Sequence, residues 1–159
     1  MMICGVDPGT VVTGYGLLSV QNGGVEVIDY GCIRPPSQWK LSDRYLAIYE
    51  GLLSLLDRFQ PQAMAVETQF VRHNPQSALK LGMARGCAIL AARKSGAAVF
   101  EYPPSRPKKA VVGHGQASKY QVQAMLKVLL NLKDLPPEDA ADALALAFCH
   151  AHNRSTKEF

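Results

Sequence analysis

Short apolar runs bounded by turn residues fill the opening third of the chain, and beyond about residue 42 apolar residues recur at three- and four-residue spacing. Met2 to Val6 reads as a buried strand that stops at Asp7-Pro8-Gly9, a turn signature. Thr13 to Val20 reads as a second strand and Val25 to Ile33 as a third. Asn22-Gly23-Gly24 joins them as a hairpin turn, because Asn and Gly tolerate positive φ. The chain is therefore expected to open with an antiparallel three-strand meander. From Ser42, a candidate N-cap, Tyr45, Leu46, Tyr49, Leu52, Leu53 and Leu56 mark one face of a helix that stops near Pro61.

Ala63 to Glu67 then reads as a short buried strand with a carboxylate at its end. Pro75 to Ser95 reads as a long helix, and Ala97 to Tyr102 as a further strand. Helices alternating with strands imply parallel crossovers. Pro103 to Gly115, rich in Pro, Gly and Lys, is expected to be a loop with at most a short helix. Ser118 to Leu132 is amphipathic, and a last helix runs from about Glu138 to His150 behind Pro136 and Pro137. The polar tail after about residue 152 is expected to be frayed. The expected fold is α/β: a mixed sheet, with a three-strand antiparallel meander followed by parallel strands, flanked by helices. It forms a single domain over residues 1–159, with no internal repeat.

Composition agrees with a globular domain. Of the 159 residues 48% are hydrophobic, and a chain of this size buries roughly 68 to 70% of its unfolded surface, enough to fold without disulfides or a structural metal. Cys4, Cys32, Cys87 and Cys149 are scattered, with no Cys-x-x-Cys pair, and read as reduced thiols. No apolar run reaches the roughly 20 residues a membrane span needs, and strand one begins too early for a secretory h-region. A cytoplasmic protein with no membrane partner is expected. The net charge of +4 says little, but its distribution says more. Arg72, Lys80, Arg85, Arg93, Lys94, Arg106, Lys108, Lys109, Lys119, Lys127 and Lys133 lie between Thr68 and Lys133 against a single acid, Glu101. Such a field suits a polyanion, although a solvated basic face would look the same.

Four carboxylates carry the candidate chemistry. Asp7 and Glu67 each end an apolar strand, where α/β sheets bind ligands; either one alone is as readily a turn or capping residue. In Asp139-Ala-Ala-Asp142-Ala-Leu-Ala a spacing of three puts both acids on one helix face beside an apolar stripe. Two acids near a helix N-terminus also simply favour the macrodipole. If all four converge, their mutual repulsion calls for cations. Hard oxygen donors suit Mg²⁺, with Mn²⁺ as a substitute. Two such ions about 3.5 to 4 Å apart could activate a water and stabilise the leaving 3′ oxygen of a phosphodiester.

Asp7-Pro-Gly-Thr-Val-Val-Thr-Gly-Tyr-Gly16, Glu67-Thr-Gln-Phe70 and Asp139-Ala-Ala-Asp142-Ala-Leu-Ala together resemble the motifs of the RuvC family of Holliday-junction resolvases. Ser77-Ala-Leu-Lys-Leu-Gly82, Ala84-Arg-Gly86 and Val111-Val-Gly113 extend the likeness over nearly the whole chain. The resemblance implies a ribonuclease-H-like fold with Asp7, Glu67, Asp139 and Asp142 as metal-binding catalytic residues. It implies that Lys108 and Lys119 occupy basic positions near the scissile strand, and that Phe70 is an aromatic contacting a junction base. With Arg72, Lys80 and Lys109 these complete the candidate DNA-binding set. It further implies a homodimer that nicks two opposed strands of a four-way DNA junction symmetrically, preferring a short thymine-containing sequence. Its expected partners are a junction-binding protein and a branch-migration motor, in recombination and repair.

Pro103, Pro104 and Pro107 make the Lys108 segment denser in proline than the family pattern. Asp7-Pro-Gly-Thr10 also resembles the phosphate loop of actin-like ATPases and sugar kinases, but those need two such domains and give Asp139 and Asp142 no role. A junction-binding module without catalysis would lack a carboxylate, and a ribonuclease H relative cutting RNA:DNA hybrids would differ in substrate. Cys149-His-Ala-His152 has soft-metal donors but no evident fourth ligand.

Overall fold

The computed structural model describes residues 1–68, 74–153 and 158–159. Three strands, β1 (Met2–Asp7), β2 (Thr13–Gln21) and β3 (Gly24–Ile33), form the antiparallel meander. Its tight turn is made by Asn22 and Gly23 at φ 49° and 81°, the double positive φ of a hairpin whose twist matches its strands. Helix α1 (Leu41–Phe59) crosses to β4 (Ala63–Glu67), and α2 (Pro75–Ser95) crosses to β5 (Ala98–Tyr102). Strand β4 lies parallel to both β1 and β5, so the sheet order is β3-β2-β1-β4-β5. Three more helices follow: α3 (Ser105–Val112), α4 (Lys119–Leu129) and α5 (Glu138–His152). The mixed sheet of the sequence reading is the one found.

Alternation along the central strands decides which helix covers which face. Cys4 and Val6 of β1, with Met64 and Val66 of β4, point into a core filled by Ile48, Leu52 and Leu56 of α1 and by Ala84, Ala88, Ala91 and Ala92 of α2. Ile3 points the other way and meets Leu18, with Leu144 and Phe148 of α5 and Val122 and Leu126 of α4. Helix α5 lies close on this second face because Gly5, Gly14 and Gly16 present no side chain to it. A Cβ at Gly5 would collide with the Ala143 carbonyl, and one at Gly14 with the Asp139 carbonyl. The alanines of α5 complete the close fit from the helix side, most of its residues being buried.

One local expectation is corrected, and another is sharpened. Helix α1 is capped at Lys40, with no side-chain cap bond, rather than at Ser42; Leu41 packs against the α1 side of the core and draws the helix start ahead of the serine. The Pro-rich segment holds a full two-turn helix, α3. Its Pro107 sits in the first turn, where the missing N–H costs no intrahelical bond. By contrast, α2 has the expected bounds, with Asn74 Oδ1 accepting from Gln76 N–H at 3.1 Å and from Ser77 N–H at 3.3 Å. Most of the tail lies outside the described residues; Glu158 and Phe159 run along the β5 edge, where Phe159 N–H donates to the Val99 carbonyl at 2.8 Å.

Candidate active site

Residues Ile3, Gly5 and Asp7 share one face of β1, and Ala63, Ala65 and Glu67 share the same face of β4. The strands pair Gly5 with Ala65 and Val6 with Val66, so the next step of that register sets Asp7 beside Glu67. Both carboxylates thus leave the sheet on the face that α5 covers. The turn after Asp7 is held from two sides. The Thr13 hydroxyl, fully buried, accepts from Gly9 N–H at 3.2 Å and donates to the Gly9 carbonyl at 2.9 Å. Arg44 of α1 donates from Nε to the Thr10 carbonyl at 3.0 Å.

Asp142, on the second turn of α5, opens into a cleft of about 280 Å³ with Asp7 and Glu67. Pro104, Pro107 and Lys108 of the α3 region and Lys119 of α4 form the rest of its polar and stiff lining. Asp139 does not line the cleft; it stands one turn earlier, close enough to act electrostatically on both Asp7 and Asp142. Lys119 bridges the two sides, its Nζ lying 3.3 Å from Glu138 Oε2 and 3.8 Å from Asp142 Oδ2.

Burial and crowding set the charge state of this cluster. Asp7 is pushed up from 3.8 to about 7, first by loss of water and then by repulsion from Asp142, Glu67 and Asp139, with Lys119 opposing. Glu67 is also raised, by burial and by Asp142, against the pull of Lys108 and Lys119. In Asp142 burial again raises the carboxyl, and Lys119 resists it. Lys119 itself is raised, chiefly by its hydrogen bond to Glu138. Among the described residues no three acid, histidine or cysteine side chains stand close enough to enclose one ion as they are. The donor set still fits a hard divalent cation, since the cleft offers carboxylate oxygens and no sulfur or imidazole.

Of the expected DNA-binding residues, Lys108 and Lys119 line the cleft. Lys80 is exposed on α2, with its backbone carbonyl accepting from the Tyr45 hydroxyl, and Lys109 is exposed on α3. Phe70 and Arg72 lie outside the described residues. Arg85, counted in the basic field, turns inward to an ion pair with Glu101. His150 and His152, the candidate soft-metal donors, are engaged elsewhere: His150 Nδ1 lies 2.7 Å from the Tyr102 hydroxyl and His152 Nδ1 lies 2.9 Å from the Phe148 carbonyl. The sequence reading missed the glycine slot under α5, although glycines at alternate positions 14 and 16 of a strand signal a close backbone approach. It also missed Glu138 as the tether of Lys119, a pairing that joins two helices and has no local signature.

A five-strand mixed sheet with carboxylates at the ends of β1 and β4, faced by a third on α5, places this protein in the ribonuclease-H-like fold class. The family model described as crossover junction endodeoxyribonuclease RuvC matches residues 3–150. The Protochlamydia amoebophila protein of that name is 58% identical over 152 residues, covering 95% of this chain and 90% of its own length. A Legionella pneumophila relative of the same name is 47% identical over 154 residues, covering 97% of this chain and 88% of its own. The structure of Thermus thermophilus RuvC in complex with a Holliday junction substrate superposes with a TM-score of 0.91 at 34% identity, covering 100% of this chain and 99% of that one. This chain belongs to the RuvC family of crossover junction endodeoxyribonucleases, divalent-metal-dependent nucleases that resolve four-way DNA junctions. Among the described residues no helix is long and apolar enough to cross a membrane.

Proposed function

We propose that this chain resolves four-way DNA junctions in recombination and repair by paired, symmetric phosphodiester hydrolysis. In this reading Asp7, Glu67, Asp139 and Asp142 hold two Mg²⁺ ions in each active site, with Mn²⁺ able to replace them. The observation that carries the reading is the meeting of three carboxylates from three separate elements in one cleft, with Lys108 and Lys119 at its wall. Such ions, when bound, activate a water and stabilise the leaving oxygen. The protein's own residues do the rest. Asp7 and Glu67 are carried by adjacent central strands, so their spacing is set by sheet pairing and not by loop conformation. Asp142 approaches from the opposite side on α5, and Asp139, one turn earlier on the same helix, is the fourth ligand. Lys108 and Lys119 hold the phosphates that flank the scissile bond, and the Glu138 contact keeps Lys119 turned to the cleft.

Arg72, Lys80 and Lys109 supply outer phosphate contacts, and Phe70 stacks on a junction base. A second copy docks on α2, which supports two active sites with the two-fold symmetry of a junction. That helix is apolar toward solvent as well as toward the core, with Leu79 70%, Met83 57% and Leu90 64% exposed, and side chains at Gly82 and Gly86 would meet nothing. A junction-binding protein and a branch-migration motor complete the expected assembly, in the cytoplasm. The test is to incubate the protein with an immobile four-way junction and Mg²⁺ and to map nicks against linear duplex and RNA:DNA hybrid. Paired nicks across the junction support the reading; cleavage of hybrid, or of duplex at the same rate, overturns it.

A further inference from the structure

Arg85 lies on α2, in the same turn as the core-facing Ala84 and Ala88, and only 15% of its side chain is exposed. Its Nε–H donates to the backbone carbonyl of Glu67 at 3.1 Å, while its Nη2 end pairs with Glu101 on β5. Glu101 sits in register with Val66, one position before the carboxylate. The next peptide is also held, since Thr68 N–H donates to the Tyr102 carbonyl at 2.9 Å. The backbone on the far side of Glu67 is thereby fastened both to a helix and to the neighbouring strand at the point where β4 ends.

Burial disfavours a guanidinium, and a half-buried ion pair is weak support for stability, because apolar side chains of similar volume serve as well or better. What apolar residues could not do is hold a backbone carbonyl and a carboxylate at once. The planar fork of arginine does this, and a lysine ammonium does not. Phe159, whose ring lies 5.4 Å from the guanidinium carbon, covers its remaining face.

We infer that Arg85, steered by Glu101, is a positioning residue that fixes the Glu67 peptide so that the Glu67 carboxylate points at Asp7 and Asp142. The inference rests on the metal-site reading above. Its function is geometric, so its loss should weaken the affinity for metal rather than the fold.

The probe is Mn²⁺ binding to the full chain without DNA, followed by calorimetry, for Arg85→Lys, Glu101→Gln and Asp7→Asn beside wild type. Arg85→Lys keeps a charge for Glu101 and should melt near wild type, yet bind Mn²⁺ about tenfold more weakly, the usual loss when a residue that orients a ligand is changed. Glu101→Gln should shift the affinity in the same direction. In cleavage assays, the Mn²⁺ concentration giving half-maximal rate should rise for Arg85→Lys while the rate at saturating metal changes little. Wild-type Mn²⁺ affinity in both Arg85→Lys and Glu101→Gln, with Asp7→Asn much weakened, would overturn the positioning role alone. If Asp7→Asn also binds like wild type, the metal-site reading falls and takes this inference with it.

Discussion

The raised carboxyl of Asp7 makes a stability prediction that needs no substrate. Ionising Asp7 in the metal-free protein is disfavoured first by burial and then by Asp142, Glu67 and Asp139. Its folded value of about 7 against an ordinary 3.8 corresponds to roughly 4 kcal/mol at most. Water entry and separation of the carboxylates reduce this, and about 2 kcal/mol is a realistic figure for a group that relaxes. The sign follows from proton uptake. Between 3.8 and about 7 the folded chain holds a proton at Asp7 that the unfolded chain has released, so stability falls as pH rises through that window and is flat above it. Asp7→Asn removes the charge and keeps the shape. Urea unfolding with a chelator at pH 8 should therefore find the variant more stable than wild type by about 2 kcal/mol, with the gap under half as large at pH 4. Saturating Mg²⁺ should reverse the order, since at a hundred times its dissociation constant an ion adds about 2.7 kcal/mol to the wild type and little to the variant. A variant less stable than wild type at pH 8 without metal would refute the crowding argument. A gap unchanged at pH 4 would refute the assignment of that crowding to Asp7.

Asp142→Asn should abolish junction cleavage while leaving junction binding equal or stronger, measured by gel shift in Ca²⁺ or chelator; parallel loss of both would count against a ligand role. Lys108→Ala and Lys119→Ala should weaken binding to every DNA and flatten the log-log salt slope by about 0.9 each, and an unchanged slope would remove them from the phosphate contacts. Phe70→Ala should slow cleavage with near-normal melting and be rescued by a junction with unpaired central bases, because stacking on a base is worth roughly 1 to 3 kcal/mol. Gly14→Ala should cost about 1 to 3 kcal/mol in urea unfolding by forcing the Asp139 end of α5 off the sheet, and should also lower Mn²⁺ affinity; a neutral effect on both would show that the close approach does not matter.

The sequence by itself determined the features that depend on near neighbours in the chain. The Asn22-Gly23 hairpin, the bounds of α2 between Asn74 and Gly96, and the strand-end positions of Asp7 and Glu67 follow from turn chemistry, capping and periodicity, which act over a few residues. Resemblance to a family named the four carboxylates before any geometry was known. Tertiary structure decided how those pieces meet. Parallel pairing of β1 with β4 brings Asp7 and Glu67 side by side, and nothing in either strand alone specifies that partner. Asp139 and Asp142 look equivalent on a helical wheel, yet only Asp142 opens into the cleft, because the glycine slot fixes the height and rotation of α5 against β1 and β2. Arg85 and Lys119 look alike as members of one basic field. Packing turns Arg85 inward to the Glu67 carbonyl and leaves Lys119 at the cleft wall. Strand order and helix crossing arise from closing the whole core at once, so the environment of a side chain across the sheet is set by contacts that no local stretch contains.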